Sequence, residues 1–298
     1  RTSSGDSDEQ SVFQRPMKCM TRSSNSTCSI QIFDSISFET RPNKVMGLVE
    51  TQAIVLQTYK LADADKIVLC MTEKAGLVRG VARGARRLKS KFGASLEPFT
   101  LIQLTFFEKE TRELVTIKGA EIVKSYFRAS VSPEAFEGLV YILELVKEFA
   151  PPHQADEKLF KMLRACVDFL AGAPTRVAAV STYTELWTLK LTGFLPEFKS
   201  CGDCGNPLGE TFRGQRYISH EGVIWCQNCR KGGAQPLSPE SYHLLSSTRH
   251  ESPSAWSESF EDAREESRRV VSDTARRLVR RALEREPRAG KTSVASKI

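Results

Sequence analysis

Four cysteines hold the most specific chemistry in this chain of 298 residues. Cys201 and Cys204 form one CxxC pair, Cys226 and Cys229 form another, and 21 residues lie between the pairs. Each short turn presents two thiolates, and a hairpin-length insert lets the turns face each other, which is the arrangement of a tetrahedral four-thiolate zinc site with bonds of about 2.3 Å. Gly202 and Gly205 permit the tight turns that aim backbone amides at the sulfurs. Four protein ligands leave no position open for water or substrate, so the expectation is one structural zinc. Two disulfides fit the same spacing, but no stretch reads as a secretion signal, and reducing surroundings favour the metal. His220 reads as an exposed turn residue, and Cys70 and Cys166 as core filler; Cys19 and Cys28 are isolated.

A second cluster is cationic. Arg79, Arg83, Arg86, Arg87, Lys89 and Lys91 fall within 13 residues, and no acidic residue intervenes between Glu73 and Glu97. Placed after a strand and interleaved with Gly80, Gly84 and Gly93, the cluster suits a mobile loop that follows a phosphate backbone. Phe92 lies inside it and is a candidate for stacking on a base, the competing reading being a ring turned into the core. A solvated charged loop is the bland alternative for the whole run.

Enzyme signatures are missing from the sequence: it holds no GxxxxGK[ST] loop, no GxGxxG after a strand, no GxSxG elbow and no HExxH or HxE zinc motif. No catalytic residue is assigned, and the chain is read as a non-enzyme. Asp63 and Asp65 precede a strand and read as turn residues rather than as magnesium ligands.

These groups need elements to hold them. Hydrophobic residues make up 40% and charged residues 27%, the balance of a globular chain, and the absence of 18 uninterrupted apolar residues excludes a conventional membrane-spanning helix. Residues 1–45 are Ser- and Thr-rich without apolar period, so we expect disorder or a non-native extension there. Five β-rich runs follow, at 49–58, 66–72, 77–82, 99–107 and 114–123, which match a small barrel of the OB type spanning 46–125, an SH3-like barrel being the alternative on pattern alone. Helical periodicity then takes over. Stripes run through Ala135 to Phe149, Leu159 to Leu170 and residues 176–192, a short helix begins after Ser238, and a longer one carries Val270, Val271, Ala275, Leu278, Val279 and Leu283. The expected fold is thus multidomain α+β: an OB-type domain at 46–125, an α-helical domain at 126–250 with a zinc ribbon inserted at 199–231, and a linker with a basic C-terminal helix at 251–298. Net charge runs +1, +4, −4 and +6 over residues 1–45, 46–125, 126–263 and 264–298, a basic front and tail that suit a polyanionic partner.

Several stretches together resemble one family. Residues 51–56 (TQAIVL), 82–91 (ARGARRLKSK), 96–99 (LEPF), 191–196 (LTGFLP) leading into Cys201, and 236–239 (PLSP) after Cys229 are similar to the bacterial recombination mediator family RecO, over about residues 46–250. The resemblance implies an OB domain, a helical domain with a zinc ribbon, and a nonenzymatic role in DNA repair and homologous recombination. It further implies binding of single- and double-stranded DNA, annealing of complementary strands, and partnership with RecR and with the C-terminal tail of the single-stranded DNA-binding protein SSB, so that recombinase is loaded indirectly onto coated strands. A cytoplasmic, nucleoid-associated setting follows from that role. A zinc-ribbon factor that binds RNA or serves transcription is the alternative.

Overall fold

A computed structural model describes residues 47–287, apart from 62, 109–113, 131 and 210. The expectation for residues 1–45 lies outside the described residues. Five strands, β1 (Gly47–Lys60), β2 (Lys66–Thr72), β3 (Gly76–Ala82), β4 (Thr100–Glu108) and β5 (Val115–Ser125), form where the β-rich runs were read. They pair as a mixed sheet in the order β1-β2-β3-β5-β4, with β4 pairing back onto β1. All contacts are antiparallel except the short β3–β5 pairing at Gly80–Val115 and Val81–Thr116.

Side-chain alternation divides β1 between two cores. Ala53 and Val55 point into the ring with Val68, Cys70, Ile102, Leu104 and Phe106. Ile54 and Leu56 point the other way and join Met71, Leu101 and the helices. Cys70 and Cys166 are buried as expected, and burial pushes each thiol up to about 12.

Six α-helices follow among the described residues. The helices α1 (Pro133–Phe149) and α2 (Glu157–Gly172) start at Ser132 and Asp156, whose side chains accept the Ala135 and Leu159 amides at 3.2 and 2.9 Å. Then come α3 (Val177–Leu191), three short strands β6 (Arg216–Ile218), β7 (Ile224–Cys226) and β8 (Gln235–Leu237), and α4 (Pro239–Ser247) behind its Ser238 cap. The chain continues into α5 (Pro253–Asp262) and α6 (Glu265–Leu283). Among the described residues, no helix is long and apolar enough to cross a membrane. One expectation is corrected: residues 253–262 form a capped helix instead of a linker, because Trp256 and Phe260, one turn apart, stack at 5.1 Å and bury against Tyr183 of α3. With Val271, Ala275, Leu278 and Val279 of α6 in the same core, residues 253–283 belong to the helical body.

That body holds one costly group. Glu185 of α3 is 1% exposed; Tyr141 of α1 donates to its Oε1, while Oε2 has no partner. Burial pushes the carboxyl up to about 7, against the opposing pull of Tyr141 and the Arg276 guanidinium of α6, while Asp273 adds to the rise. A carboxyl with a folded value above its unfolded 4.5 binds more protons folded than unfolded. Its contribution is therefore complete below about pH 4.5 and lost as the pH climbs through about 7. Glu185→Gln keeps the acceptor for Tyr141 and removes the charge, so it should stabilise the protein at alkaline pH by on the order of 2–3 kcal/mol and flatten stability between about pH 5 and 8. Urea melts of both proteins across that range check this, and an unaltered pH profile refutes it.

Candidate functional site

The four cysteines meet as read. Their sulfurs all lie within 4.8 Å of one another, and Cys204 Sγ stands 3.9 Å from Cys226 Sγ. A tetrahedron with 2.3 Å metal–sulfur bonds has edges of about 3.8 Å, so the cage fits a four-thiolate cation in size as well as in donor chemistry. Gly205 adopts φ +71° and returns its amide to Cys201 O at 3.0 Å, while a Cβ on Gly202 would meet Val223 Cγ1 at 2.3 Å. The knuckle needs both glycines. Burial pushes the Cys201 thiol up, but amides of Cys204, Cys226 and Asp203 outweigh it and hold the group down to about 6; Cys229 is raised by its sulfur neighbours. The described residues thus bring together four thiols that could hold a metal ion, and His220 stays outside the set, exposed in the turn between β6 and β7.

Arg216 ties this module to the helices. It is 6% exposed, donates to the carbonyls of Leu208, Gly209 and Phe212, and lies 4.2 Å from the Tyr242 ring centroid of α4. Arg216→Ala leaves three carbonyls without that donor and should cost roughly 3 kcal/mol, a melting shift near 10 °C. Arg216→Lys keeps the charge but not the planar fork and should recover only part of it. Thermal melts showing no loss for Arg216→Ala would contradict this role.

The basic loop, residues 83–99, is built differently from the mobile loop expected. At its start the Gly84 amide donates to Asp65 Oδ1 at 2.8 Å, and Arg86 reaches back with its amide to Ala64 O and its guanidinium to Asp63 O, both at 2.9 Å. Asp63 and Asp65 are turn residues with a purpose: they pin the loop. Successive turns lead to Phe92 and Leu96, 4% and 1% exposed, which plug the ring. Phe92 is therefore corrected: its ring is packed in the core, with Lys91 Nζ 5.0 Å from the centroid, and is not available to stack on a base. An apolar side chain in a loop has no period from which to read its direction.

Arg79, Arg83, Arg86, Arg87, Lys89 and Lys91 are all exposed. Lys91 donates to Lys118 O on β5, which brings the exposed Lys118 to the same end of the ring; sequence reasoning missed it because it is 27 residues away. Leu88, between Arg87 and Lys89, is fully exposed. Beside Arg83 a groove opens, lined by Leu61, Val81, Leu114 and Val115. On α6, by contrast, Arg268 pairs with Glu261 and Arg280 with Glu286, at 3.3 and 2.7 Å.

Two family models match the chain. Residues 46–126 match "Recombination protein O N terminal" and residues 132–289 match "Recombination protein O C terminal". The second match runs past α6, so the Arg-rich helix, beyond the 46–250 stretch of resemblance, falls within the family pattern. Among curated proteins, the chain is 32% identical over 194 residues to the DNA repair protein RecO of Anaeromyxobacter sp. (strain K), covering 64% of this chain and 74% of that one. Those of Streptomyces coelicolor and Nocardioides sp. are 32% and 34% identical, over 67% and 66% of this chain and 82% and 81% of theirs.

Proposed function

Because the chain belongs to the recombination protein O family, we propose that it is a nonenzymatic DNA repair and recombination mediator that binds single- and double-stranded DNA and anneals complementary strands. The observation that carries this reading is the pinned loop 83–99, which keeps five cations, Arg83, Arg86, Arg87, Lys89 and Lys91, exposed at one end of the β1–β5 ring. Neutralising phosphates there lowers the repulsion between two strands, and base pairing then proceeds without covalent chemistry. The strand order β1-β2-β3-β5-β4, with β3 and β5 parallel, supports an OB-type barrel for residues 46–125 over an SH3-like one. Residues 126–250 with the continuing α5 and α6 make the helical domain, and Cys201, Cys204, Cys226 and Cys229 would hold one structural zinc whose part is to cross-link the β6–β7 module. RecR, the SSB tail and, through them, the recombinase are the partners the family reading implies, with the nucleoid as the place of work.

Purified protein should accelerate annealing of bare complementary DNA oligonucleotides, with RNA counterparts as the comparison. Acceleration of DNA annealing supports the reading. No acceleration, together with tight RNA binding, replaces it with the RNA-binding alternative.

A further inference from the structure

The three-stranded sheet beside the metal centre has two unlike faces. One face carries Arg216, Ile218, Ile224, Cys226 and Leu237, all buried against the helical body. On the other face Tyr217 pairs directly with Trp225 of β7 on one side and with Pro236 of β8 on the other. Tyr217 and Trp225 are half-buried, and Pro236 is exposed. Two exposed cations stand over the rings: the Arg230 guanidinium lies 4.7 Å from the Tyr217 centroid, and Lys231 Nζ 5.5 Å from that of Trp225.

We propose that this face, Pro236-Tyr217-Trp225 flanked by Arg230 and Lys231, is a second single-stranded DNA site that stacks unpaired bases. It rests on the reading of the chain as a single-strand binder and adds a site to it. Neighbouring strands are about 4.8 Å apart, so one side chain from each strand makes a flat strip that two or three splayed bases can cover. Arg230 and Lys231 are long and solvent-exposed, so they can exchange ring faces for phosphates as bases take their place. The complementary charge selects a polyanion, and the flat rings select one with unstacked bases, which single strands offer and a duplex hides. Lys231 also pairs with Asp203 at 2.8 Å. Balancing the negative thiolate cage explains the cations but not the aromatic row. Stacking adds to annealing what the loop 83–99 does not provide: bases of one strand held apart from each other while phosphates of the other are neutralised.

The test uses the full chain and an oligo-dT strand. Of the three tryptophans, Trp256 is fully buried with its indole N–H on Leu244 O, and Trp187 sits under Lys190, so quenching by bases should come from Trp225. The expected result is quenching on binding, most of it lost in Trp225→Phe, which removes the reporting indole. Tyr217→Ala with Trp225→Ala should weaken oligo-dT binding at least about tenfold while leaving the salt slope unaltered, since stacking releases no counterions. Oligo-dT bound by the parent without Trp225 quenching overturns this inference alone, whether or not the double variant folds. Failure of the parent to bind oligo-dT at all overturns the broader function with it.

Discussion

Replacing Arg83, Arg86 and Arg87 together by alanine is expected to flatten the dependence of log affinity for single-stranded DNA on log salt by about two to three units. At physiological salt that corresponds to roughly a hundredfold loss of affinity, spread evenly over sequences because phosphates carry no sequence. The variant should fold. The plug residues Phe92 and Leu96 and the Asp65–Gly84 contact are untouched, while the guanidinium contact of Arg86 with Asp63 O is removed. Filter or anisotropy titrations at several salt concentrations measure the slope. If it does not move, the phosphate contacts lie elsewhere, and the loop is a solvated surface.

The second large effect is expected at the cysteines. Protein purified without chelator should carry one zinc per chain, and Cys226→Ser or metal removal should cost at least about 4 kcal/mol. The reason is local: β6 and β7 have three residues each, too short to hold a hairpin unaided. Their inner side chains, Ile218 and Ile224, share the core with α4 and α6, so a collapsed knuckle opens apolar surface in the helical body. Elemental analysis well below one zinc per chain, or a stability that depends on disulfide reductant and not on chelator, would refute the assignment.

Much of the fold was legible because its signals are local. The five β-rich runs and the cap Ser238 depend on neighbours in sequence, and β1 to β5, α1 to α4 and α6 fall where they were read. The cysteine cage was legible for the same reason, since CxxC spacing is itself a geometry. What stayed hidden depends on distant partners. Phe92 turns inward because a ring of strands waits to be plugged, and α5 escaped notice because Trp256 and Phe260 are the only large apolar groups in a Ser- and Glu-rich stretch. Lys118, the Arg216 tether and the Tyr217-Trp225 pairing exist only through strand and domain contacts.

The double duty of β1 bears on how the protein is made. Translation delivers the five strands first, and at about 5–20 residues per second the ribosome needs several more seconds to release α1 and α2. Over that interval Ile54, Leu56, Met71 and Leu101, later covered by helices, form an apolar wall on an otherwise finished ring. The nascent protein therefore passes through a sticky stage by design of its architecture, one in which chaperone capture or pairing between neighbouring nascent chains competes with helix docking. Yield in the cell should follow the speed with which residues 133–172 emerge, and slowing translation there should raise aggregation without altering the stability of any molecule that finishes folding.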